Sequence, residues 1–445
     1  MKTMIASNVL ELNQKIRRRI SEPNLREMLV GSIVGFVVKI LSALCLFLMN
    51  IVVARTLGPS EAGLFFLGLT LITIVASIGR IGLEQVTVRF IAACHAIHDS
   101  DGVQAIYRKA VAWVAVISTL LAFTVWGSAE WITKTLFNQP GFEVVLGSFA
   151  LAIPLVALYT IQAHALQGLK RIAKSMLTLS VLAPGAMLFF LMVNPVYSAR
   201  EASLYFNISC AATLIAGVYF WMKSSPIAER SVSFSSQKLK QACIPLWFVI
   251  ILAQVSQWSS QMMLGAWSTA DNVAFFATAQ RTAMLTSFVL FAVNSIAAPK
   301  FSALYAKGDM AGLEKTAIWS VRLMWTIAVP VLLFITLTSE WLMGFFGKDF
   351  KEASLALIIL AVGQFVNIAT GSVGYLLSMT GHERALRNNS IISALLGVAL
   401  GALLIPDYGL IGASISTAAA IACQNLLGVY QVRKHLGFNV LMIRG

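Results

Sequence analysis

The feature that most constrains this chain is the recurrence of apolar segments about 20 residues long. A helix needs about 20 mostly apolar residues to cross the hydrocarbon core of a bilayer, whereas a barrel strand needs only about ten. Twelve segments of helical length occur, at 29–54, 61–81, 110–131, 143–165, 172–193, 201–222, 241–266, 273–298, 316–338, 353–377, 389–405 and 409–430. Only 12% of the residues are charged, against about a quarter in soluble domains. The sequence therefore predicts an all-α polytopic membrane protein with about 12 transmembrane helices.

The distribution of Lys and Arg predicts the orientation of these spans. If the N-terminus is cytoplasmic, 26 of the 33 basic residues fall on the inside, five on the outside and two within spans. Such a bias places both termini in the cytoplasm. A net charge of +14 can also indicate nucleic-acid binding. No basic run is interleaved with aromatic residues on a soluble platform, so we expect no nucleic-acid partner.

A polar run, KSSPIAERSVSFSSQKLK at 223–240, divides the chain into two similar halves. The sequences around spans four and ten are similar, with Gly168 aligned to Gly381 and Arg171 to Arg384. Because each half has six spans, both begin on the same side, which predicts two parallel six-helix lobes around a central cavity. The predicted domains are a cytoplasmic N-terminal amphipathic segment or basic tail, an N-lobe, a cytoplasmic linker, a C-lobe and a cytoplasmic tail. Their bounds are 1–28, 29–222, 223–240, 241–431 and 432–445.

Polar side chains inside three predicted spans indicate a binding site. Lys39 in span one and Arg281 in span eight are charges within apolar segments, which are costly and therefore candidates for function. Amides and one Trp recur at helical spacing beside or near them, namely Asn50 in span one, Gln254, Gln257, Trp258 and Gln261 in span seven, and Asn294 in span eight. The alternatives are hydrogen bonds that join helices and charged side chains that reach the membrane surface.

The sign of the charge in the spans indicates the kind of ligand. None of the 19 Asp and Glu residues falls in the middle of a predicted span. A cavity with buried cations and no carboxylate attracts anions, such as a phosphate or an acidic sugar. The five cysteines lack metal-ligand spacing, and no phosphate-binding glycine loop or zinc-protease motif occurs, so we predict a transporter without cofactor or metal rather than an enzyme.

Three motifs resemble a known family. ARTLGPSEAGLFFLGL at Ala54–Leu69 is similar to the first outside turn of the oligosaccharide flippases of polysaccharide biosynthesis (Wzx-type). GLEQVTVRFIAA after span two and APKFSALYAKGDMAGLEK after span eight resemble that family's two cytoplasmic connections. The family belongs to the multidrug/oligosaccharidyl-lipid/polysaccharide exporter superfamily, together with the multidrug and toxin extruders and the lipid II flippase.

The resemblance implies a function. A protein of this kind moves a polyprenyl-diphosphate-linked oligosaccharide, such as an O-antigen repeat unit, from the cytoplasmic to the periplasmic leaflet of the bacterial inner membrane by alternating access. By position, Lys39 and Arg281 match the family's cations in spans one and eight, and Arg55 matches its turn motif. The implied partners are the lipid-linked glycan, membrane lipids, a polysaccharide polymerase and a chain-length regulator.

Two other functions remain as alternatives. A multidrug or metabolite exporter of the extruder type would be expected to bury carboxylates for cation exchange. A membrane enzyme, such as a polymerase or ligase, would be expected to carry a large outside loop with basic residues. The sequence shows neither feature.

Overall fold

The computed structural model describes residues 23–230 and 235–441. Three predicted segments extend beyond that range: most of the N-terminal segment 1–28, the middle of the linker 223–240 and the end of the tail 432–445. We call the parts before and after the linker the N-terminal and C-terminal halves. "Inner" and "outer" denote the ends that the sequence predicts to face the cytoplasm and the periplasm.

The described chain is built from helices. The α-helices of the N-terminal half are α1 (Pro23–Gly79), α2 (Leu83–Ala96), α3 (Ser100–Gly127), α4 (Ala129–Ile132), α5 (Phe142–Phe149), α6 (Ala152–Gly168), α7 (Ile172–Met176), α8 (Leu182–Val193) and α9 (Ala199–Ser224). Those of the C-terminal half are α10 (Ser236–Trp267), α11 (Ala270–Met284), α12 (Ser287–Ala306), α13 (Met310–Gly344), α14 (Ser354–Ala369), α15 (Val373–Met379) and α16 (Glu383–Leu436). Short π-helical turns at Thr133–Phe137 and Leu177–Val181, and a 3₁₀ turn at Asp349–Ala353, extend the neighbouring helices.

Nine helical stretches of the described chain are long and apolar enough to cross a membrane. Two of them, within α1 and α16, each overlap two predicted spans. The prediction of an all-α multi-pass membrane fold is confirmed. The number of twelve spans and their division into two lobes stay predictions.

Two glycines bend the longest helices. In α1, Gly58 has φ +73° and is followed by Pro59. In α16, Gly409 has φ +48° and follows Pro406. Positive φ is strained for residues with a Cβ, so glycine lets the chain turn at each point. At Gly409 the backbone angle is therefore what the turn requires.

The eighth predicted span, 273–298, is interrupted rather than continuous. α11 ends at Met284 and α12 begins at Ser287. Before the interruption, α11 packs along α1, so the two halves meet here. After it, α12 packs against α13, α15 and α14 of its own half. α12 therefore departs from α1 at residues 285–286, while the inner ends of the halves stay in contact through Trp247 of α10, whose Nε1 donates to the carbonyl of Ile78 at 3.1 Å.

The halves are packed closely at their outer ends. A Cβ added at Gly63 in α1 would collide with the carbonyl of Ala270, so only glycine permits this approach. Gln139 donates to the carbonyl of Ser268 at 2.6 Å, and the ring of Phe47 meets Phe346 edge-on at 5.7 Å. These contacts join the two halves on the outer side.

Candidate functional site

A cavity of about 370 Å³ lies between α1 of the N-terminal half and the α11–α12 junction of the C-terminal half. We call it the cation cavity. It brings together three of the residues singled out in the sequence, Lys39, Asn50 and Arg281. The remaining lining residues are Ser42, Ala43, Leu46, Phe47, Met284, Leu285, Ser287, Phe288 and Phe291. Two cations thus lie in an otherwise mostly apolar space, and none of its described lining residues is acidic.

The guanidinium of Arg281 is held against an aromatic ring. Its Cζ lies 4.4 Å from the centroid of Phe66, a fully buried side chain of α1. A desolvated cation over an aromatic face is stabilised by the ring quadrupole. The Nη1 atom of Arg281 is buried and has no hydrogen-bond partner among the described residues. A buried donor of this kind is costly unless an acceptor reaches it, so Arg281 is suited to bind an anion.

Lys39 and Asn50 extend the polar surface along α1. Neither Lys39 nor Arg281 forms an ion pair with a carboxylate of the described chain. Asn50 is 1% exposed, and its Nδ2 donates to the carbonyl of Leu46 at 2.6 Å. Its Oδ1 is buried without a partner in the described structure. The two cations are therefore not neutralised within the cavity.

Three threonines lie around the point where the helix stops beside Arg281. Thr278, Thr282 and Thr286 each turn the side-chain hydroxyl back to a backbone carbonyl three or four residues earlier, at 2.7–2.8 Å. Such bonds weaken the regular helix and often bend it. At the interruption, the backbone makes tighter bonds from Leu285 to Thr282 and from Thr286 to Ala283. Interrupted helices commonly form the binding sites of secondary transporters.

The polar stripe of span seven lies elsewhere. The side chains of Gln254, Gln257, Trp258 and Gln261 do not line the cation cavity. Gln261 Nε2 donates to the carbonyl of Phe66 at 3.1 Å, which joins α10 to α1. Trp258 Nε1 donates to Gln254 Oε1 at 2.9 Å, and Gln257 is exposed. The polar side chains of span seven therefore bond to α1 or within α10, or are exposed, instead of lining the cation cavity.

Two further predicted residues are also outside the cation cavity. Arg55, beside the bend of α1, donates through Nε to the carbonyl of Phe345 at 2.6 Å and so joins the halves at the outer side. Asn294 lines a second cavity of about 270 Å³, which lies between α12, α14, α15 and α16. We call this second cavity the amide chamber.

Sequence reasoning missed two polar features. The amide chamber is lined by Gln364, Asn367, Ser372, Gln424 and Asn425 in addition to Asn294. The available signal was the presence of amides in spans ten and twelve, which are otherwise apolar. The second feature is a buried ion pair between Arg80, which follows α1, and Glu84 in the first turn of α2.

The site is suited to organic anions rather than metals. No group of three His, Cys, Asp or Glu residues within the described part of the chain could hold a metal ion. The cation cavity offers two positive charges, the hydroxyls of Ser42 and Ser287 and the amide of Asn50 instead.

Comparison with known proteins agrees with this architecture. The sequence model of a polysaccharide biosynthesis protein family matches residues 52–355, more than half of the chain. The chain therefore belongs to this family of polysaccharide biosynthesis proteins. A relative in Haloferax volcanii, described as the probable low-salt glycan biosynthesis flippase Agl15, is 26% identical over 417 residues, which cover 89% of this chain and 82% of that protein.

Two solved structures have the same fold. An inward-facing multidrug resistance MATE family transporter of the MOP superfamily superposes with a TM-score of 0.73 at 16% identity, covering 91% of this chain and 98% of that chain. The lipid II flippase MurJ in an inward closed conformation gives a TM-score of 0.70 at 14% identity, covering 91% and 87%. At these identities the likeness establishes the fold alone. The chain is a multi-pass membrane protein with the fold of MOP superfamily exporters.

Proposed function

We propose that this protein is a flippase that moves a polyprenyl-diphosphate-linked oligosaccharide from the cytoplasmic to the periplasmic leaflet of the bacterial inner membrane by alternating access. The observation that carries the proposal is the cation cavity, where Lys39 and Arg281 meet between the two halves without a carboxylate among the described lining residues. A diphosphate is the strongly anionic part of such a substrate. Guanidinium and ammonium groups bind phosphate oxygens by charge-assisted hydrogen bonds.

The surroundings of the two cations fit a lipid-linked substrate. Phe47, Phe288 and Phe291 line the same cavity and offer apolar surface to the isoprene units beside the diphosphate. Arg281 is fixed over Phe66, which keeps its buried Nη1 available to an acceptor. A site that combines apolar walls with a few fixed polar groups is typical of small-molecule recognition.

The position of the cavity fits alternating access. It lies between the two halves at the point where α12 departs from α1, while Gly63, Arg55 and Gln139 join the halves on the outer side. In the proposed mechanism the substrate enters from the inner side. Rocking of the halves would break the outer contacts and release the substrate to the other leaflet.

A reconstitution experiment tests the proposal. The full chain is placed in liposomes with fluorescent polyprenyl-diphosphate-linked glycan on one leaflet, and the label reaching the other leaflet is measured by a membrane-impermeant quencher. We expect transfer by the wild type and loss of transfer by the Lys39→Gln/Arg281→Gln variant. Absence of transfer by well-folded wild-type protein would refute the proposed function.

Export of drugs is the alternative activity for this fold. A cationic drug would require a carboxylate, and the described residues lining the cation cavity include none. The same liposomes test this alternative with a cationic dye. Dye transport without lipid transport would favour an exporter.

A further inference from the structure

We infer that the amide chamber is a binding site for a neutral sugar, namely the sugar that is joined to the diphosphate of the lipid-linked substrate. The inference rests on the proposed function and deepens it. All described residues that line the chamber belong to the C-terminal half, and none of them lines the cation cavity.

Two buried polar groups in the chamber lack partners. Asn294 is 4% exposed, and its Oδ1 has no hydrogen-bond partner in the described structure. Ser372 is 6% exposed, and its hydroxyl is likewise without one. Buried polar groups are rarely left unpaired because their desolvation is not compensated. Both residues line the chamber, and a polar ligand bound there is the partner that we assign to them.

The backbone at the chamber is interrupted, as it is at the cation cavity. α14 ends at Ala369 and α15 begins at Val373, with Gly371 between them at φ +76°. A Cβ at Gly371 would collide with the side chain of Val321 in α13, so glycine is required for both conformation and space. Non-helical backbone at membrane depth is tolerated where it lines a polar cavity.

The chemistry of the lining selects a neutral, hydroxyl-rich ligand. None of the described lining residues is charged, and the polar ones are amides and hydroxyls. An amide offers both donors and an acceptor, which matches the hydroxyl groups of a sugar ring. Tyr375 adds an aromatic ring that is 45% exposed. A phosphate would lack cations here, and a metal ion would lack carboxylates.

A hydrogen bond places the chamber directly beside the cation cavity. Ser287, which lines the cation cavity, donates to Oε1 of Gln364, which lines the chamber, at 2.9 Å. α12 also contributes to both spaces, with Phe288 and Phe291 on one side and Asn294 on the other. In a glycosyl diphosphate the first sugar is bonded directly to a phosphate. The two groups are therefore neighbours in the substrate, as the two cavities are in the protein.

The test compares lipids with and without a sugar. The full chain in lipid nanodiscs is titrated with bare undecaprenyl diphosphate and with undecaprenyl diphosphate carrying one glucose, galactose or N-acetylglucosamine. We expect at least one glycosylated lipid to bind more tightly than the bare lipid. The Asn294→Leu/Ser372→Ala variant should lose about tenfold in affinity for that lipid, since two hydrogen bonds are removed, and retain its affinity for the bare one.

A matched control checks that the effect is local. Asn389 in α16 is 1% exposed, and both polar atoms of its side chain lack partners in the described structure, but it lines neither cavity. Asn389→Leu should leave both affinities unchanged. The thermal unfolding of each variant is recorded to verify folding.

The outcomes separate this inference from the proposed function. If the wild type binds the bare lipid but none of the three glycosylated lipids more tightly, the chamber is not a sugar site. Equal losses for bare and glycosylated lipid in the Asn294→Leu/Ser372→Ala variant would also overturn the inference. If the wild type binds none of the four lipids, the proposed function itself fails.

Discussion

The cation cavity and the amide chamber are neighbours with opposite chemistry. The cation cavity holds Lys39 and Arg281 among apolar side chains and lies between the two halves of the chain. The amide chamber holds uncharged amides and hydroxyls, and all of its lining belongs to the C-terminal half. Both lie at an interrupted helix, and the bond from Ser287 to Gln364 joins them.

This difference suggests how a flippase could hold one substrate through a change of shape. A site formed by both halves is remodelled when the halves rock, so its affinity for the diphosphate changes between states. A site within one half moves as a unit and keeps its hydrogen bonds. In the proposed mechanism, the affinity of the cation cavity for the diphosphate therefore changes between states, while the amide chamber binds the glycan in both.

The largest expected effect is that of Arg281. Replacing it by Gln leaves a shorter, neutral polar side chain and removes the charge that faces the diphosphate. A hydrogen bond to a charged group contributes about 1.5–3 kcal/mol, so we expect affinity for bare and glycosylated lipid to fall about 10- to 100-fold. Binding titrations of both lipids in nanodiscs measure this change.

The Arg281→Lys variant is the matched control, because it restores the charge without the planar fork. Its affinity should lie between those of wild type and Arg281→Gln. If Arg281→Gln weakened only the glycosylated lipid, the division of roles between the two sites would be reversed.

A smaller effect is expected for Lys39. Its side chain is partly exposed and, unlike Arg281 with its buried Nη1, has no buried atom without a partner, so water and salt screen its charge more. Lys39→Gln should lower the affinity for bare undecaprenyl diphosphate about three- to tenfold. The salt dependence of binding should also become shallower, which titrations from low to high ionic strength would measure. An unchanged affinity and salt dependence would show that Lys39 does not bind the diphosphate.

Gln364 tests the connection between the sites. Its Oε1 accepts hydrogen bonds from Ser287 at 2.9 Å and Asn367 at 3.2 Å. Gln364→Met keeps much of the volume but removes the acceptor, so the preference for glycosylated over bare lipid should fall about three- to fivefold. Competition between the two lipids measures this ratio. A preserved ratio would show that the chamber does not depend on this bond.

The smallest effect is expected in span seven. Gln257 is exposed and lines neither cavity. Gln257→Leu should change lipid affinity and transport by less than about twofold, as expected for a surface substitution. A tenfold loss of transport would instead place span seven on the substrate path and widen the site beyond the two cavities.

Much of the fold could be predicted from the sequence, because spans are read from length and hydropathy alone. Lys39 and Arg281 also stood out, since a charge in an apolar span is rare. The amides of the chamber did not, because a lone Gln364 or Asn367 equally suits a bond between helices. Local pattern shows that a helix has a polar face but not which neighbour it meets. Gln261 illustrates this limit, since its partner is the backbone of Phe66.

Helix interruptions were the other feature beyond sequence reasoning. Thr278, Thr282 and Thr286 are compatible with a continuous helix, and only the packing of α11 and α12 against different partners makes the break visible. Gly371 could have been suspected as a break, but its close approach to Val321 depends on the tertiary fold.

The most direct test of the central claim is equilibrium binding of bare undecaprenyl diphosphate to the wild type and to the Lys39→Gln/Arg281→Gln variant, with uncharged undecaprenol as the control lipid. If the cation cavity binds the diphosphate, the double variant loses about 30-fold or more in affinity for undecaprenyl diphosphate, while binding of undecaprenol is unchanged. A folded double variant that binds undecaprenyl diphosphate as tightly as the wild type would contradict the account.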